Sequence, residues 1–306
     1  MMNNIHSILM VRPSSFRTNS QTALNNYFQK ITHLNDAQVL QKACLEFDNL
    51  VSLLLSNGIP VNVFQDDLVK DTPDSIFPNN WISFHKNKRI AIYPMYAYNR
   101  RLERNDKIIK FIESKGIEID FVNDYSDAEN HNLFLEGTGS MVLDRLNKKS
   151  YCSLSDRTSE SLVDEFCNEF SYMPIVFKSY QSIDKKRKLI YHTNVMMCIA
   201  NKYSIICLES VDSKIDKQIV IKSLKDDNKE IIEISEIQLN SFAGNMIELV
   251  FENKSFLVMS TQAYKSLTKN QIHKIEKFSK IIHSSVETIE NCGGGSVRCM
   301  IAEVFN

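Results

Sequence analysis

The stretch Gly293-Gly294-Gly295-Ser296-Val297-Arg298-Cys299-Met300-Ile301-Ala302-Glu303-Val304-Phe305 contains three of the eight glycines in this 306-residue sequence. Consecutive glycines allow backbone conformations and close approaches that other residues do not. The apolar run at 299–305 then predicts a buried strand. A thiol at the start of a strand, beside the cation of Arg298 and a flexible glycine rim, is typical of a nucleophilic cysteine. Cys299 is therefore the first candidate for a catalytic residue.

The strand at 299–305 opens a structural unit that the other end of the sequence completes. Four earlier units have the order strand, strand, helix, strand at a period of roughly 50–60 residues. They are predicted at 80–84, 90–95, 100–114 and 117–122; at 140–143, 151–154, 157–170 and 174–177; at 195–200, 203–208, 214–224 and 231–234; and at 246–251, 256–259, 270–282 and 285–289. The fifth unit joins 299–305 to a strand at 8–11, a helix at 36–57 capped by Asp36, and a strand at 59–64. A short helix is also predicted at 22–32.

This repeat predicts an α/β fold, in the form of a five-fold pseudo-symmetric α/β propeller closed by the two ends of the sequence. Hairpins recur between the helices, which disfavours a doubly wound parallel sheet. No low-complexity linker interrupts the rhythm. We therefore expect residues 1–306 to form a single catalytic domain.

Composition and charge narrow the class of protein. The sequence is 43% hydrophobic and 24% charged, which is ordinary for a soluble globular protein. A formal net charge of −1 gives no basic footprint for nucleic acid, and no apolar window reaches membrane-spanning length. The seven cysteines lack a CxxC motif and lie mostly in apolar stretches. With no secretory signal at the start, they indicate reduced thiols in a cytoplasmic protein.

Polar residues interrupt the apolar pattern at the same place in each unit, namely the entrance to its first strand. They are Asn79, Asn80, Glu136, His192, Asn194, Gly244, Asn245 and Cys299. In a closed ring these entrances converge near the axis, which predicts one site built from five parts of the chain. There His192 would act as acid and base near neutrality, and Glu136 would orient it or hold a substrate amino group.

Each of these residues also has a simpler interpretation. A lone histidine is usually structural or exposed, a lone cysteine usually belongs to a core, and a glutamate in a glycine-rich turn is usually solvated. The functional interpretation depends on their recurrence at equivalent positions of the repeat.

Four stretches resemble the guanidino-group-modifying superfamily, which comprises arginine deiminase, agmatine deiminase, dimethylarginine dimethylaminohydrolase and the amidinotransferases. They are Pro73-Asp74-Ser75-Ile76-Phe77, similar to a dimethylaminohydrolase stretch; Glu136-Gly137-Thr138-Gly139 and His192-Thr193-Asn194, similar to deiminase elements; and residues 293–300, similar to the terminal Arg-Cys-Met motif. Their order covers nearly the whole chain. The resemblance implies the five-fold propeller, a cysteine nucleophile, a histidine acid/base and an acidic helper, with no metal and no cofactor.

The resemblance also implies contacts for the rest of the substrate. Leu154-Ser155-Asp156-Arg157-Thr158 resembles a dimethylaminohydrolase stretch whose arginine holds the substrate α-carboxylate, so Arg157 is expected to do so here. A place for Arg157 in the first turn of a surface helix is the alternative. The other expected substrate-binding residues are Asp74, for the α-amino group, Phe77, Asn79 and Arg298, which would contact the carboxylate or act only on Cys299.

Departures from the superfamily point to the substrate. Its guanidine-processing members clamp the cationic guanidinium with two aspartates, and the corresponding positions here are Asn80 and Asn194. A carboxylate pair suits a planar cation, whereas an amide offers both a donor and an acceptor. The asparagines therefore favour a neutral ureido group, and Phe77-Pro78-Asn79-Asn80-Trp81 also resembles the citrulline hydrolase branch. A one-residue slip in the comparison would make the asparagines incidental.

The sequence thus predicts a cysteine-dependent hydrolase of L-citrulline that releases ornithine, carbon dioxide and ammonia through a covalent Cys299 intermediate. The alternatives are a guanidine hydrolase, such as arginine deiminase or dimethylarginine dimethylaminohydrolase, an amidinotransferase, and a non-enzymatic binding module on the same fold. The expected partner is a small amino-acid substrate, citrulline or arginine-like. No nucleic acid or membrane partner is expected, and the chain is compatible with a homo-oligomer.

Overall fold

The computed structural model describes residues 4–30 and 32–305 and has an α/β architecture. The strands of the described chain are β1 Ser7–Arg12, β2 Val61–Gln65, β3 Ile82–His85, β4 Arg89–Ile92, β5 Phe121–Asp124, β6 Met141–Asp144, β7 Lys149–Ser153, β8 Met173–Phe177, β9 Tyr180–Ile183, β10 Lys186–Leu189, β11 Met197–Ile199, β12 Tyr203–Ile206, β13 Glu230–Glu233, β14 Ile247–Phe251, β15 Lys254–Ser260, β16 Lys280–Ser284 and β17 Ala302–Val304.

The helices are mostly short. They are α1 Asp36–Ser56, α2 Tyr98–Arg101, α3 Asp106–Ser114, α4 Gly137–Ser140, α5 Glu160–Phe170, α6 Thr193–Met196, α7 Lys214–Asp226, α8 Glu236–Leu239, α9 Thr261–Ser266, α10 Lys269–Glu276 and α11 Glu287–Gly293. Turns of 3-10 helix lie at Pro78–Asn80, Ser126–His131, Leu208–Ser210 and Val297–Met300.

Five sheets of the described chain have three strands and one internal order. The first strand runs antiparallel to the second, the second runs parallel to the third, and one or two helices connect the parallel pair. The sheets are β3-β4-β5, β6-β7-β8, β11-β12-β13, β14-β15-β16 and β17-β1-β2. This is the strand, strand, helix, strand order that the sequence predicts. The hairpin β9–β10 forms a separate two-stranded sheet.

The sheet β17-β1-β2 joins the two ends of the described chain. Leu9 of β1 pairs with Ala302 of the antiparallel β17. On the other side of β1, Ile8 pairs with Val61 of the parallel β2. The predicted sharing of a fifth unit between the two ends is therefore confirmed.

Helix α1 shows how local sequence sets an element and its buried face. Its N-cap is Asn35, whose side chain accepts a hydrogen bond from the Gln38 N–H at 3.0 Å while the Gln38 side chain returns one to the cap. The predicted cap, Asp36, is instead the first helical residue. The buried side chains recur every three or four positions, as one face of a helix requires. They are Val39, Ala43, Phe47, Leu50 and Leu54.

The core lies between the sheets and the helices that cover them. In α5, Val163 and Phe166 pack in one cluster with Met141 of β6 and Cys152 of β7. Burying each side chain of this size contributes about 1.5–3 kcal/mol. The outer helices thus cover the sheets and bury the apolar faces between them.

Three predicted elements differ from the structure, two helices and one strand. The helix predicted at 100–114 is divided into α2 and α3, because Asn105 caps a new helix by accepting a hydrogen bond from the Lys107 N–H. The helix predicted at 270–282 ends at Glu276, and the strand predicted at 285–289 is wrong. The strand of this unit is β16, and α11 occupies the predicted strand position.

Other differences affect the region of the site. The described residues of 22–32 form turns rather than a helix. Helix α5 begins at Glu160, so Arg157 lies outside it, and the interpretation of Arg157 as a surface-helix residue is wrong. The hairpin β9–β10 was not predicted, because the side chains of β10 are all exposed and give no apolar signal.

Cysteines and membrane segments complete the comparison with the sequence. All seven cysteines are unpaired, and Cys44 is only partly buried, contrary to the expectation of a core position. Within the described ranges, no helix is both long enough and apolar enough to cross a membrane.

The cap of α1 gives a test of this description. We expect Asn35→Ala to lower the free energy of unfolding by about 1 kcal/mol, because the variant loses the acceptor of the Gln38 N–H. Asp36→Ala is the matched control and should cost clearly less, because Asp36 does not cap the helix. Chemical denaturation followed by circular dichroism measures both. Equal losses in the two variants would show that Asn35 is not the cap.

Candidate active site

A cavity of about 270 Å³ lies at the entrances of the sheets. Its lining residues are Thr22, Asn26, Asp74, Phe77, Asn80, Arg100, Arg157, Tyr191, His192, Gly293, Gly294, Gly295 and Cys299. Short helical turns carry much of this lining directly before a strand: Pro78–Asn80 precedes β3, α6 follows His192 and precedes β11, and Val297–Met300 precedes β17. Polar and charged side chains from several sheets therefore converge on one cavity, as in small-molecule sites of other proteins.

Cys299 lies on the turn before β17 and is 3% exposed. Its Sγ accepts hydrogen bonds from the side-chain amides of Asn194, at 3.5 Å, and Asn245, at 3.3 Å. Asn245 also donates to the Asn194 carbonyl at 3.0 Å, which holds its amide in place. Two N–H donors at the sulfur favour the negative charge that a cysteine carries when it attacks as a nucleophile.

Arg298 does not line the cavity, contrary to the expectation from its position next to Cys299. Its guanidinium pairs with Glu303 at 3.2 Å and donates to the Ile301 carbonyl at 2.9 Å. On the tight turn before β17, neighbouring side chains leave in different directions. The structure therefore places Arg298 where it braces β17, and not at the substrate cavity.

His192 and Glu136 are in direct contact beside the cavity. His192 Nε2 lies 2.7 Å from Glu136 Oε2, and both residues are buried. Burial lowers the pKa of His192 to about 4, and the hydrogen bond and charge of Glu136 offset only part of this effect. Burial alone would raise the pKa of Glu136, but the charge of Arg157 and the bond to His192 outweigh it and hold this pKa well below its usual range. At neutral pH the pair is a neutral imidazole bound to a carboxylate.

Arg157 is fully buried, lines the cavity and makes several hydrogen bonds. Its NH1 lies 3.5 Å from Glu136 Oε2, and its NH2 donates to the Thr22 carbonyl at 3.1 Å. Its Nε donates to Asn25 Oδ1 at 3.1 Å, and the guanidinium stacks over the ring of Tyr191 at 4.8 Å. The turns at 19–28 are thereby tied to the catalytic pair.

Asp74 has one oxygen bound and one free. Oδ2 accepts hydrogen bonds from Asn19, at 2.7 Å, and Thr22, at 3.4 Å. Oδ1 is buried and finds no hydrogen-bond partner in the described chain. Burial raises the pKa of Asp74 more than the charge of Arg100 and the bond from Asn19 lower it. A free acceptor oxygen of this kind suits an ammonium group of a ligand.

Asn80 is held by a buried arginine that the sequence analysis did not select. Arg100 donates to Asn80 Oδ1 at 2.8 Å and to both carboxylate oxygens of Glu103, at 2.8 and 2.9 Å. Because Oδ1 of Asn80 is occupied, the amide nitrogen Nδ2 is its remaining polar atom. This nitrogen is buried and lacks a hydrogen-bond partner among the residues described.

Gly139 lies where Asn80 and His192 approach each other. A Cβ atom at this position would lie 2.4 Å from Asn80 Nδ2 and 2.8 Å from His192 Nδ1. These distances are too short for any side chain, so a glycine is needed. The free amide nitrogen and the second ring nitrogen therefore lie near the same point beside the cavity.

Six of the ten predicted site residues line the cavity: Cys299, His192, Asp74, Phe77, Asn80 and Arg157. Glu136 and Asn194 lie one contact behind it, on His192 and Cys299 respectively. Asn79 is directed to Thr138 instead, to which its amide donates at 3.3 Å. The predicted residues therefore meet around one cavity, with Asn79 and Arg298 outside the group.

The structure also adds residues without a predicted role: Thr22, Asn25, Arg100, Tyr191 and Asn245. Asn245 had a sequence signal, because it stands at the entrance of β14 as the other site residues do in their units. Tyr191 also had one, as the neighbour of His192. Arg100 had none, since it stands in a run of charged residues.

We searched the site for metal-binding groups. Within residues 4–30 and 32–305, no group of three or more His, Cys, Asp or Glu side chains is placed to hold a metal ion. The carboxylates Glu103 and Glu136 bind arginines and a histidine instead.

A protein-family model identifies the family to which the chain belongs. A family model described as eukaryotic N,N dimethylarginine dimethylhydrolase matches residues 12–306. The chain belongs to this family. It is therefore a member of the guanidino-group-modifying superfamily, and the predictions of that superfamily and of a hydrolase are confirmed. A search of curated protein sequences found no match.

Solved structures show the same fold at low sequence identity. The N-terminal domain of ArgZ, a cyanobacterial arginine dihydrolase, covalently bound to a reaction intermediate, aligns with a TM-score of 0.73 and 15% identity over 97% of each chain. Full-length ArgZ aligns at 0.70 and 15% over 99% of this chain but 40% of its own. A dimethylarginine dimethylaminohydrolase adduct with S-methyl-L-thiocitrulline aligns at 0.63 and 15% over 98% of this chain and 99% of its own. The chain thus spans less than half of full-length ArgZ.

The His192 environment predicts a change of stability with pH. The pKa of His192 is about 4 in the folded protein, against 6.5 for an ordinary histidine. Between these values the unfolded chain binds a proton that the folded protein does not, so this residue lowers stability as the pH falls from 6.5 to 4. We expect His192→Gln to lose less stability than the wild type on acidification from neutral pH. Chemical denaturation at several pH values measures the difference.

His273→Gln is the control for this measurement, because His273 is exposed on α10. Its profile should follow that of the wild type. If His192→Gln also follows the wild type, burial does not depress the pKa of His192 and the assignment of a neutral resting imidazole fails.

Proposed function

We propose that the protein hydrolyses the ureido group of L-citrulline, or of a close analogue, to ornithine, carbon dioxide and ammonia. The orientation of Asn80 carries this proposal. Arg100 occupies Asn80 Oδ1, so the free polar atom of Asn80 is a donor, Nδ2. A buried donor left unpaired costs about 1–3 kcal/mol. A ligand acceptor beside Asn80 would remove that cost.

A ureido group supplies this acceptor and a guanidinium does not. The ureido carbonyl accepts hydrogen bonds, whereas every nitrogen of a protonated guanidinium is a donor or has no lone pair to offer. Asn194 has the complementary free atom, since its Oδ1 is buried with no partner in the described ranges. One free donor and one free acceptor near Cys299 match a neutral head group with a C=O and an NH₂.

Charged groups are available for the amino-acid end of the substrate. Asp74 Oδ1, buried and unpartnered in the described chain, suits the α-ammonium. Arg157 is assigned to the α-carboxylate, which would replace part of its hydrogen bonding to Asn25 and the Thr22 carbonyl. A carboxylate accepts two parallel N–H bonds from an arginine, which makes this exchange favourable.

The first chemical step uses Cys299 and His192. Glu136 binds Nε2, so Nδ1 is the ring nitrogen that remains for proton transfer. Nδ1 takes the thiol proton, the sulfur attacks the ureido carbon, and the imidazolium is stabilised by ionised Glu136. Asn80 Nδ2 donates to the oxygen on which negative charge develops.

The intermediate then breaks down with His192 returning the proton to the leaving nitrogen. If ornithine leaves first, the sulfur keeps a carbamoyl group, and water activated by His192 releases carbamate, which decomposes to carbon dioxide and ammonia. If ammonia leaves first, the covalent intermediate keeps the ornithine side chain, and water releases it as the Nδ-carbamate, which decomposes to ornithine and carbon dioxide. In either order one C–N bond breaks as the tetrahedral intermediate collapses, water breaks the C–S bond and restores the thiol, and the second C–N bond breaks when the released carbamate decomposes.

The proposal includes a closed five-fold propeller in one domain, 1–306. Neighbouring sheets contact each other in sequence: β17 packs beside β3, β6 beside β11, and β11 beside β14. The turn Val297–Met300 packs against β15, which links the fourth sheet to the fifth. These contacts support a ring with the entrances of the five sheets around one axis.

A hydrolase of arginine or methylated arginine is the second candidate. The family description and the fold shared with ArgZ favour it. Such an enzyme would use the same cysteine on a cationic guanidino carbon. It would require Asn80 to turn its acceptor toward the ligand, against the hydrogen bond from Arg100.

The substrate can be tested directly. We expect L-citrulline to yield ornithine and ammonia, and L-arginine to yield little product, when each is incubated with the purified protein and products are quantified by chromatography. Cys299→Ser should abolish turnover, because the nucleophile is lost. Cys292→Ser should retain it, since Cys292 does not line the cavity. Citrulline and ammonia formed from arginine would establish the second candidate instead.

The role of Asn80 gives a sharper test. Asn80→Asp replaces the free donor by an acceptor, so kcat/KM for citrulline should fall by about 100-fold or more, as when an oxyanion donor is removed. The ratio of arginine to citrulline turnover should rise. Asn240→Asp, the same change at an exposed residue that does not line the cavity, is the control. Unchanged citrulline turnover in Asn80→Asp would refute the assignment.

A further inference from the structure

A second and larger cavity, of about 860 Å³, lies apart from the catalytic one. It is bordered by the β3–β4 turn, the β6–β7 turn and the end of α5. None of its lining residues lines the cavity at Cys299. It is therefore a separate feature of the surface, and the catalytic proposal does not explain it.

The charge of this cavity is strongly one-sided. Four cationic side chains line it, those of Lys86, Arg89, Arg145 and Lys148, against one carboxylate, that of Glu169. Oε2 of Glu169 accepts hydrogen bonds from Asn123, at 2.6 Å, and from the Tyr125 hydroxyl. One carboxylate does not balance four cations, so the lining keeps an excess of positive charge.

Two neighbouring groups respond to this excess of positive charge. The pKa of Lys148 is lowered, first by burial and then by the charges of Arg145, Lys86 and Arg89. Burial, followed by the charges of Arg145, Lys148 and Arg89, holds the pKa of His85 well below its ordinary value. The positive charges of the cavity thus act on Lys148 and His85. Burial would also lower the pKa of Arg145, but the charge of Glu303 and the contribution of Tyr172 outweigh it, so this pKa is raised.

Aromatic rings position three of the cations without neutralising them. Arg89 lies over the Phe170 ring at 4.3 Å, Arg145 over Phe305 at 4.5 Å and Lys148 over Tyr172 at 4.6 Å. A ring face attracts a cation but adds no net charge, so the positive potential persists.

Arg145 is the buried cation of this group, with a side chain that is 10% exposed. Its Nε lies 3.5 Å from Glu303 Oε1, as an ion pair without hydrogen-bond geometry. Glu303 also pairs with Arg298, at 3.2 Å, so one carboxylate is shared between two arginines. Part of the positive charge of Arg145 therefore remains uncompensated at the cavity.

We propose that this cavity binds a small multivalent oxyanion, of the phosphate or polycarboxylate class, through Arg89, Arg145 and Lys148. Arginine pairs well with two oxygens of such an anion, and lysine adds a point charge. The anion would accept hydrogen bonds from these side chains and balance the positive charge that Glu169 leaves uncompensated. The site differs from the catalytic cavity in residues, size and charge.

The experiment titrates the purified full chain with inorganic phosphate, pyrophosphate and citrate, by isothermal titration calorimetry in a chloride background. We expect saturable binding that weakens as sodium chloride is raised, because the attraction is screened. Preference for phosphate and pyrophosphate, or for citrate, distinguishes the two sources of the oxyanion. Catalytic turnover is not needed for this readout.

Variants locate the binding. The double variant Arg89→Gln, Lys148→Asn should weaken affinity at least about tenfold, since each cation contributes a charged hydrogen bond. Lys185→Asn is the matched control, because Lys185 has a similar left-handed backbone (φ 62° against 54° for Lys148) in the turn of the exposed hairpin β9–β10. It should bind like the wild type. Circular dichroism confirms that each variant is folded.

Two results would overturn the proposal. One is the absence of saturable binding by any of the three anions. The other is unchanged affinity in the folded double variant, which would place the anion elsewhere, for example at the arginines of the catalytic cavity.

Discussion

The buried carboxylate of Glu136 is the constraint on which the candidate site depends. It is fully excluded from solvent, and an ionised group is stable there only when it is paired and hydrogen-bonded. His192, Arg157 and the Tyr96 N–H provide those bonds. The same bonds fix the imidazole ring, the guanidinium and the backbone after β4. The acid/base pair and the local packing are therefore a single energetic unit.

A second buried charge sets the hydrogen-bonding character of the cavity. The Glu103 carboxylate accepts hydrogen bonds from two nitrogens of Arg100, and the third nitrogen of Arg100 donates to Asn80. Burial raises the pKa of Glu103 to about 7, although the charge and hydrogen bonds of Arg100 oppose the shift. Arg100 therefore sets the orientation of the Asn80 amide, at a position where a carboxylate would better suit a cationic ligand. Selectivity between a neutral and a cationic ligand would then depend on which polar atoms of the cavity remain unpaired, because a ligand that leaves a buried polar group unpaired binds less well.

Apolar patterns located the parts of the site that lie next to strands, whereas Asp74, Phe77 and Arg157 were found only through the family resemblance. Cys299, His192 and Glu136 were found because each interrupts an apolar pattern at the start of a strand. Thr22 and Asn25 were missed because their turns have no periodicity and their partner, Arg157, is distant in sequence. Arg298 was predicted in the site only because it precedes Cys299 in the sequence, yet its guanidinium pairs with Glu303 outside the cavity. The direction of a side chain and its contacts with residues distant in sequence depend on the tertiary structure, so a local sequence pattern does not predict them.

The pairing of β1 with β17 also orders the folding of the chain. Leu9 and Ala302 face each other, so this pair closes a loop of nearly the whole described sequence, and contacts of such separation form slowly. Cys299 stands on the turn that leads into this junction, and its neighbours Asn194 and Asn245 come from other sheets. The thiol acquires its surroundings only once those sheets and the junction are in place. A partly folded chain would expose an ordinary cysteine, and reactivity would appear as one of the last events of folding.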